Sequence, residues 1–91
     1  MMEKPKWITF RPRGIRHDHD AWYVMAVKDG AILGFIEWYP KWRRFVFLPD
    51  YRPSVFVFEQ DCLRDIANFI EENTRLVKAR KVEMKKILAE I

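Results

Sequence analysis

The chain changes its hydrophobic period once. Through residue 58 apolar residues come in short runs broken by Gly, Pro and Asp, as in strands and turns; from residue 61 they recur every three or four positions, as in a helix. Trp7-Ile8-Thr9-Phe10 reads as a short first strand, and Arg11 to Asp20 as a polar loop. Ala21 to Val27 and Ala31 to Trp38 read as a strand and its return. Asp29-Gly30 between them predicts a type I′ hairpin turn, because Gly accepts the positive φ that the turn requires. Tyr39-Pro40-Lys41-Trp42 forms the next turn, Arg43 to Leu48 a fourth strand and Ser54 to Phe58 a fifth. Sequential strands with short connections imply an antiparallel meander. The expected fold is therefore α+β: an antiparallel β-meander of four to five strands packed by a long C-terminal α-helix.

The helix should be N-capped by Asp61, with acidic residues near its first turn suiting the dipole. Leu63, Ile66, Ile70, Asn73, Val77, Arg80, Met84, Ile87 and Ile91 form an unbroken heptad seam. Cys62, Leu63, Ile66, Ala67, Phe69 and Ile70 make the wide apolar face expected of a helix lying on a sheet. Beyond Asn73 the stripe narrows. A helix of about 30 residues is about 45 Å long, whereas a six-residue strand spans about 20 Å. About half the helix should cover the sheet, and the rest should project or fold back. This divides the chain into a sheet-plus-helix domain, 1–73, and a basic amphipathic extension, 74–91, which is either the same helix or a second one begun at Asn73-Thr74. Val77, Arg80, Met84, Ile87 and Ile91 would form an oligomer seam, with a homodimer as its simplest product.

The strands leave a surface over. Phe45 and Phe47 oppose Val46 and Leu48, Trp22 and Val24 oppose Tyr23 and Met25, and Phe56 and Phe58 oppose Val55 and Val57. Both sheet faces are thus apolar, and one helix covers one of them. The other needs curling into a half-barrel, a partner, or the C-terminal half of the helix.

Composition narrows the function class. Ninety-one residues, 49% apolar and 15% aromatic, make one globular domain with little room for a deep cleft. The one cysteine, Cys62, excludes an intrachain disulfide and fits a reducing, cytoplasmic setting. No apolar stretch follows the charged Met1 to Lys6, so no signal peptide is expected, and no run is long enough to span a membrane. The net charge of +4 is unevenly placed. Cations cluster at Lys4, Lys6, Arg11, Arg13 and Arg16, and again at Arg75, Lys78, Arg80, Lys81, Lys85 and Lys86. Residues 59–72 between them are acidic.

The densest chemical feature is Trp38-Tyr39-Pro40-Lys41-Trp42-Arg43-Arg44. Aromatics interleaved with cations stack on bases while the charges meet phosphates, although the same residues also stack on each other at hairpin ends. Trp38, Trp42, Arg43 and Arg44 are candidate stacking residues, and Arg75, Lys78, Lys81 and Lys85 candidate phosphate or acidic-surface contacts. His17-Asp18-His19-Asp20 supplies only part of a metal set, and reads more simply as a hydrated turn. Cys62 at a helix start lacks a base that the sequence places beside it, and reads as packing. No Gly-rich phosphate loop, carboxylate pair or Ser-centred motif is present. The sequence thus gives no catalytic residue, metal, cofactor or small-molecule substrate.

Leu33-Gly34-Phe35-Ile36-Glu37-Trp38, then Trp42-Arg43-Arg44-Phe45-Val46-Phe47 with Pro49, then Cys62-Leu63-Arg64-Asp65-Ile66-Ala67-Asn68-Phe69-Ile70, resembles small proteins of phages and prophage-like elements. Their pattern is approximately L-G-x-I-x-W, W-R-x-Y/F-x-F-x-P and C-L-x-x-I-x-x-F, matched over about residues 31–72. The resemblance brings no catalytic residues. It implies a small protein that binds nucleic acid or host machinery. The expectation is a non-catalytic binding protein that engages nucleic acid or a nucleic-acid-handling complex. The alternative is an inhibitor or adaptor that binds the acidic surface of a host defence or regulatory protein, and an enzyme is a distant third.

Overall fold

The computed structural model describes residues 6–50, 58 and 60–89. Four strands, β1 (Ile8–Arg16), β2 (His19–Ala26), β3 (Ile32–Tyr39) and β4 (Arg44–Pro49), pair antiparallel in sequence order. One helix, α1 (Gln60–Ala89), follows and packs on the sheet, lying closest to β4. The architecture is an α+β meander with a long C-terminal helix, as the change of period implies.

Strand register sorts the side chains. Phe10 pairs with Val24, Trp22 with Ile36, Ile36 with Phe47 and Trp38 with Phe45, so these residues share the face under α1. Ile8, Val24, Ile36, Trp38 and Phe45 are buried there with Cys62 and Ile66 of the helix. Rings continue the packing: Phe10 stacks on Phe69 at 4.0 Å, and Trp22 meets Phe69 and Phe45 edge-on at 4.9 and 5.4 Å. Each fully buried apolar side chain contributes about 1.5–3 kcal/mol. Gly34 is required by close approach. A Cβ there would lie 2.5 Å from the Leu48 carbonyl oxygen and 2.6 Å from the Phe47 ring.

Several expectations need correction. Arg11 to Arg16 is not loop but the second half of β1. The register shifts between Pro12 and Gly14, and this bulge at Arg13 carries the strand past Pro12, which an edge strand tolerates. The two-residue type I′ turn falls at His17-Asp18, with φ of 53° and 64°, rather than at Asp29-Gly30. Residues 27–30 instead form a longer loop. The Gly30 N–H donates to the Ala26 carbonyl, the Ala31 N–H donates to the Asp29 carboxylate, and Gly30 alone is left-handed, with φ 72°. Residues 40–43 repeat that path: the Arg43 N–H donates to the Tyr39 carbonyl, and Arg43, with φ 53°, stands where Gly30 stands in the other loop.

Asp61 lies inside the first helical turn, not at the cap. Leu63 is 51% exposed and Ala67 is exposed, because the buried line runs from Cys62 to Ile66 and then through half-buried Phe69, Ile70, Asn73 and Val77. The helix passes Asn73 without a break, and the Asn73 amide donates to the Phe69 carbonyl at 2.9 Å. Contact with the sheet also continues past it. The Phe45 N–H donates to the Thr74 hydroxyl at 3.2 Å, Val77 packs against the core, and the Lys81 ammonium lies 5.9 Å from the Trp38 ring centroid. Of the fifth expected strand, 54–57 lie outside the described residues, as do Lys4 and Ile91. Phe58 is not in a strand and meets Phe47 edge-on.

On the opposite sheet face Tyr23, Met25, Phe35 and Val46 are half-buried. Arg13, carried by the bulge, lies 4.2 Å over the Phe35 ring and 5.5 Å over Tyr23, and pairs with Glu37 at 2.8 Å. Part of the surplus apolar face is thus covered by a side chain of the sheet itself. Among the described residues no helix is long and apolar enough to cross a membrane.

Candidate binding groove

The β3–β4 hairpin and the flank of α1 enclose an open groove of about 550 Å³. Arg44, Arg75 and Lys78 line it, with Glu71, Ile70 and Val82. Its geometry follows from helical spacing. Ile70, Thr74, Lys78 and Val82 step by four along one side of the helix, and Glu71, Arg75 and Ala79 form the neighbouring row. The Phe45–Thr74 hydrogen bond fixes the hairpin against that flank and so sets the groove's width. One cation of the hairpin, Arg44, and two of the helix, Arg75 and Lys78, therefore line one place.

The candidates do not all belong to it. Trp38 is 5% exposed and forms part of the core, with the His19 ring tilted against it at 4.3 Å and Phe45 edge-on. Its ring is not open to a partner. Trp42 is 62% exposed at the hairpin tip and rests against Tyr39 at 4.7 Å. Arg43 is exposed beside it, holding a left-handed conformation that costs a non-glycine residue about 1–2 kcal/mol. Lys81 leans toward Trp38, and Lys85 lies farther along the exposed helix end. Arg75 is engaged by Glu72, with contacts of 2.6 and 3.2 Å. That hydrogen bond holds the Glu72 carboxyl below its ordinary range and raises the Arg75 guanidinium further. Both groups are solvent-exposed, so the pair is cheap to break. Thr74 and Val82 also line the groove and stand in neither candidate set; the four-residue step from Ile70 through Lys78 is the signal for them.

A second cleft, of about 250 Å³, lies between the β1–β2 hairpin and α1. Asp18, His19 and Asp20 line it with Ile15, Leu76, Val77 and Arg80. Among the described residues no three His, Cys, Asp or Glu side chains are grouped as a metal would need. Cys62 is buried under the start of the helix. Of the seam residues, Val77 packs against the chain's own core, Arg80 lines the second cleft, and Met84 and Ile87 are exposed.

Comparison with protein-family models, with curated proteins and with solved structures finds no match.

Proposed function

We propose that this is a non-catalytic binding protein of phage or mobile-element type, acting in the cytoplasm and engaging nucleic acid through the groove between the β3–β4 hairpin and α1. The observation that carries this reading is that Arg44 of the hairpin and Arg75 and Lys78 of the helix line one groove, with Trp42 exposed on the same hairpin. The cations neutralise phosphates and Trp42 supplies a stacking surface. Arg43 supports the same reading: a charged residue occupies a backbone position where glycine is less strained, and such strain gathers at functional sites.

Fluorescence anisotropy with single- and double-stranded DNA and RNA tests it, over a salt series. Affinity should fall with salt, and Arg44→Ala with Lys78→Ala should lower the slope of log K against log salt by about 1 for each lost phosphate contact. No binding at low salt sinks the reading.

One observation favours a second reading. Glu71 lines the groove beside the cations, together with apolar Ile70, Ala79 and Val82, which suits a mixed protein surface better than a uniform polyanion. In that case the protein is an inhibitor or adaptor directed at the acidic patch of a host defence or regulatory protein. Capture from nuclease-treated host lysate by wild type, and not by the Arg44/Lys78 variant, would favour it.

A further inference from the structure

The groove leaves one prominent feature unused. Met84, Ile87 and Leu88 are 60%, 52% and 66% exposed. They continue the helical face that carries Ile66 and Val77, since Met84 lies seven residues after Val77 and a heptad returns to nearly the same side. Beyond Val77 that face has left the buried core.

We propose that this projecting end docks in the cleft beside the β1–β2 hairpin of a second copy, giving an antiparallel two-fold pair that crosses near Arg80. The cleft offers what the segment lacks. Ile15, Leu76 and Val77 supply apolar wall, and Asp18 and Asp20 supply negative charge. The segment presents its three apolar side chains among Lys81, Lys85 and Lys86, against Glu83 alone. The cleft reaches the helix over Asn73 to Arg80, and the projecting end begins immediately after. An antiparallel crossing at Arg80 therefore sets Met84 against Leu76 and Ile87 against Asn73, four and seven residues on either side of the axis. One two-fold axis satisfies both surfaces twice, which a heterologous partner does not. The two Arg80 side chains meet near the axis, and each lines a cleft that also holds Asp18 and Asp20. The same carboxylates repel phosphate, so nucleic acid does not suit this site. Direct pairing of two projecting ends alone would set cation against cation.

Light scattering and sedimentation on the full chain, from low to high micromolar concentration, test this. The mass should rise from 11.1 kDa to twice that value. Ile87→Lys should leave a monomer with unchanged helical circular dichroism. Asp18→Lys with Asp20→Lys should weaken association roughly tenfold or more, as should Lys81→Asp with Lys85→Asp, and combining the four should restore it. A monomer at every concentration, an open-ended series of larger species, a dimer indifferent to either charge reversal, or no recovery in the combined variant overturns the proposal. The nucleic-acid reading stands or falls separately on the Ile87 and Asp18/Asp20 variants, because those residues lie outside the groove and outside the candidate phosphate contacts.

Discussion

The two ends of α1 carry similar apolar patterns and have opposite fates. From Cys62 to Val77 the stripe is laid on aromatic rings and disappears into the core. From Met84 to Leu88 its narrower continuation stands in solvent. Periodicity identifies the face a helix would bury and is silent on whether anything lies beneath it. The sheet supplies a floor only as far as β4 and the Trp38 ring extend, and the helix is longer than that floor.

The sharpest way to break this contrast is a matched pair of truncations. Ile66→Ala should cost about 3 kcal/mol, from lost transfer energy and the cavity left behind. Ile87→Ala should change stability by less than about 0.5 kcal/mol, because its side chain is already hydrated. Urea denaturation at a protein concentration low enough for the midpoint not to vary with it measures both; equal costs would mean the end is buried after all. Next is the contact where helix and sheet part. Thr74→Val keeps the shape but leaves the Phe45 N–H without its acceptor, and should cost about 1–2 kcal/mol. Faster hydrogen exchange at the Phe45 amide would accompany it.

A smaller effect of opposite sign is expected at Arg43. Arg43→Gly relieves the left-handed strain and should stabilise by up to about 1 kcal/mol, less whatever the freer unfolded chain takes back, while weakening partner binding. The smallest concerns Glu72. Its folded-state carboxyl is held below the unfolded value, so its contribution is present above the ordinary carboxylate range and is lost as pH falls through the folded value. Glu72→Gln should flatten the acid side of a Tm-against-pH curve only slightly, since the pair is fully solvated.

Much of the fold is written in the period of the sequence, and its misreadings have physical causes. Arg11 to Arg16 looks like a loop because an exposed edge strand needs no apolar alternation; only pairing with β2 reveals it. His17-Asp18 forms the tight turn unannounced, because Gly signals positive φ in a sequence and His does not. Cys62 and Leu63 are neighbours, and either could lead a stripe through Ile66; docking angle chose the cysteine. Trp38 stands next to the hairpin cations in sequence, yet its parity with Gly34 and Ile36 aims it inward. The groove was half legible: both cation clusters stand out in the chain, and what joins them is the hydrogen bond from Phe45 to Thr74, between residues far apart in sequence.

That hydrogen bond also has a mechanical meaning. From Val77 to Ala89 the helix is a stiff rod of about 18 Å held at one end. A tilt of about 10° about the clamp at Thr74 moves the tip, about 21 Å away, by about 4 Å, so a small rearrangement at the groove becomes a large one at Leu88. The leverage runs the other way as well: a load on the tip returns to the clamp as a bending moment that grows with the length of the rod.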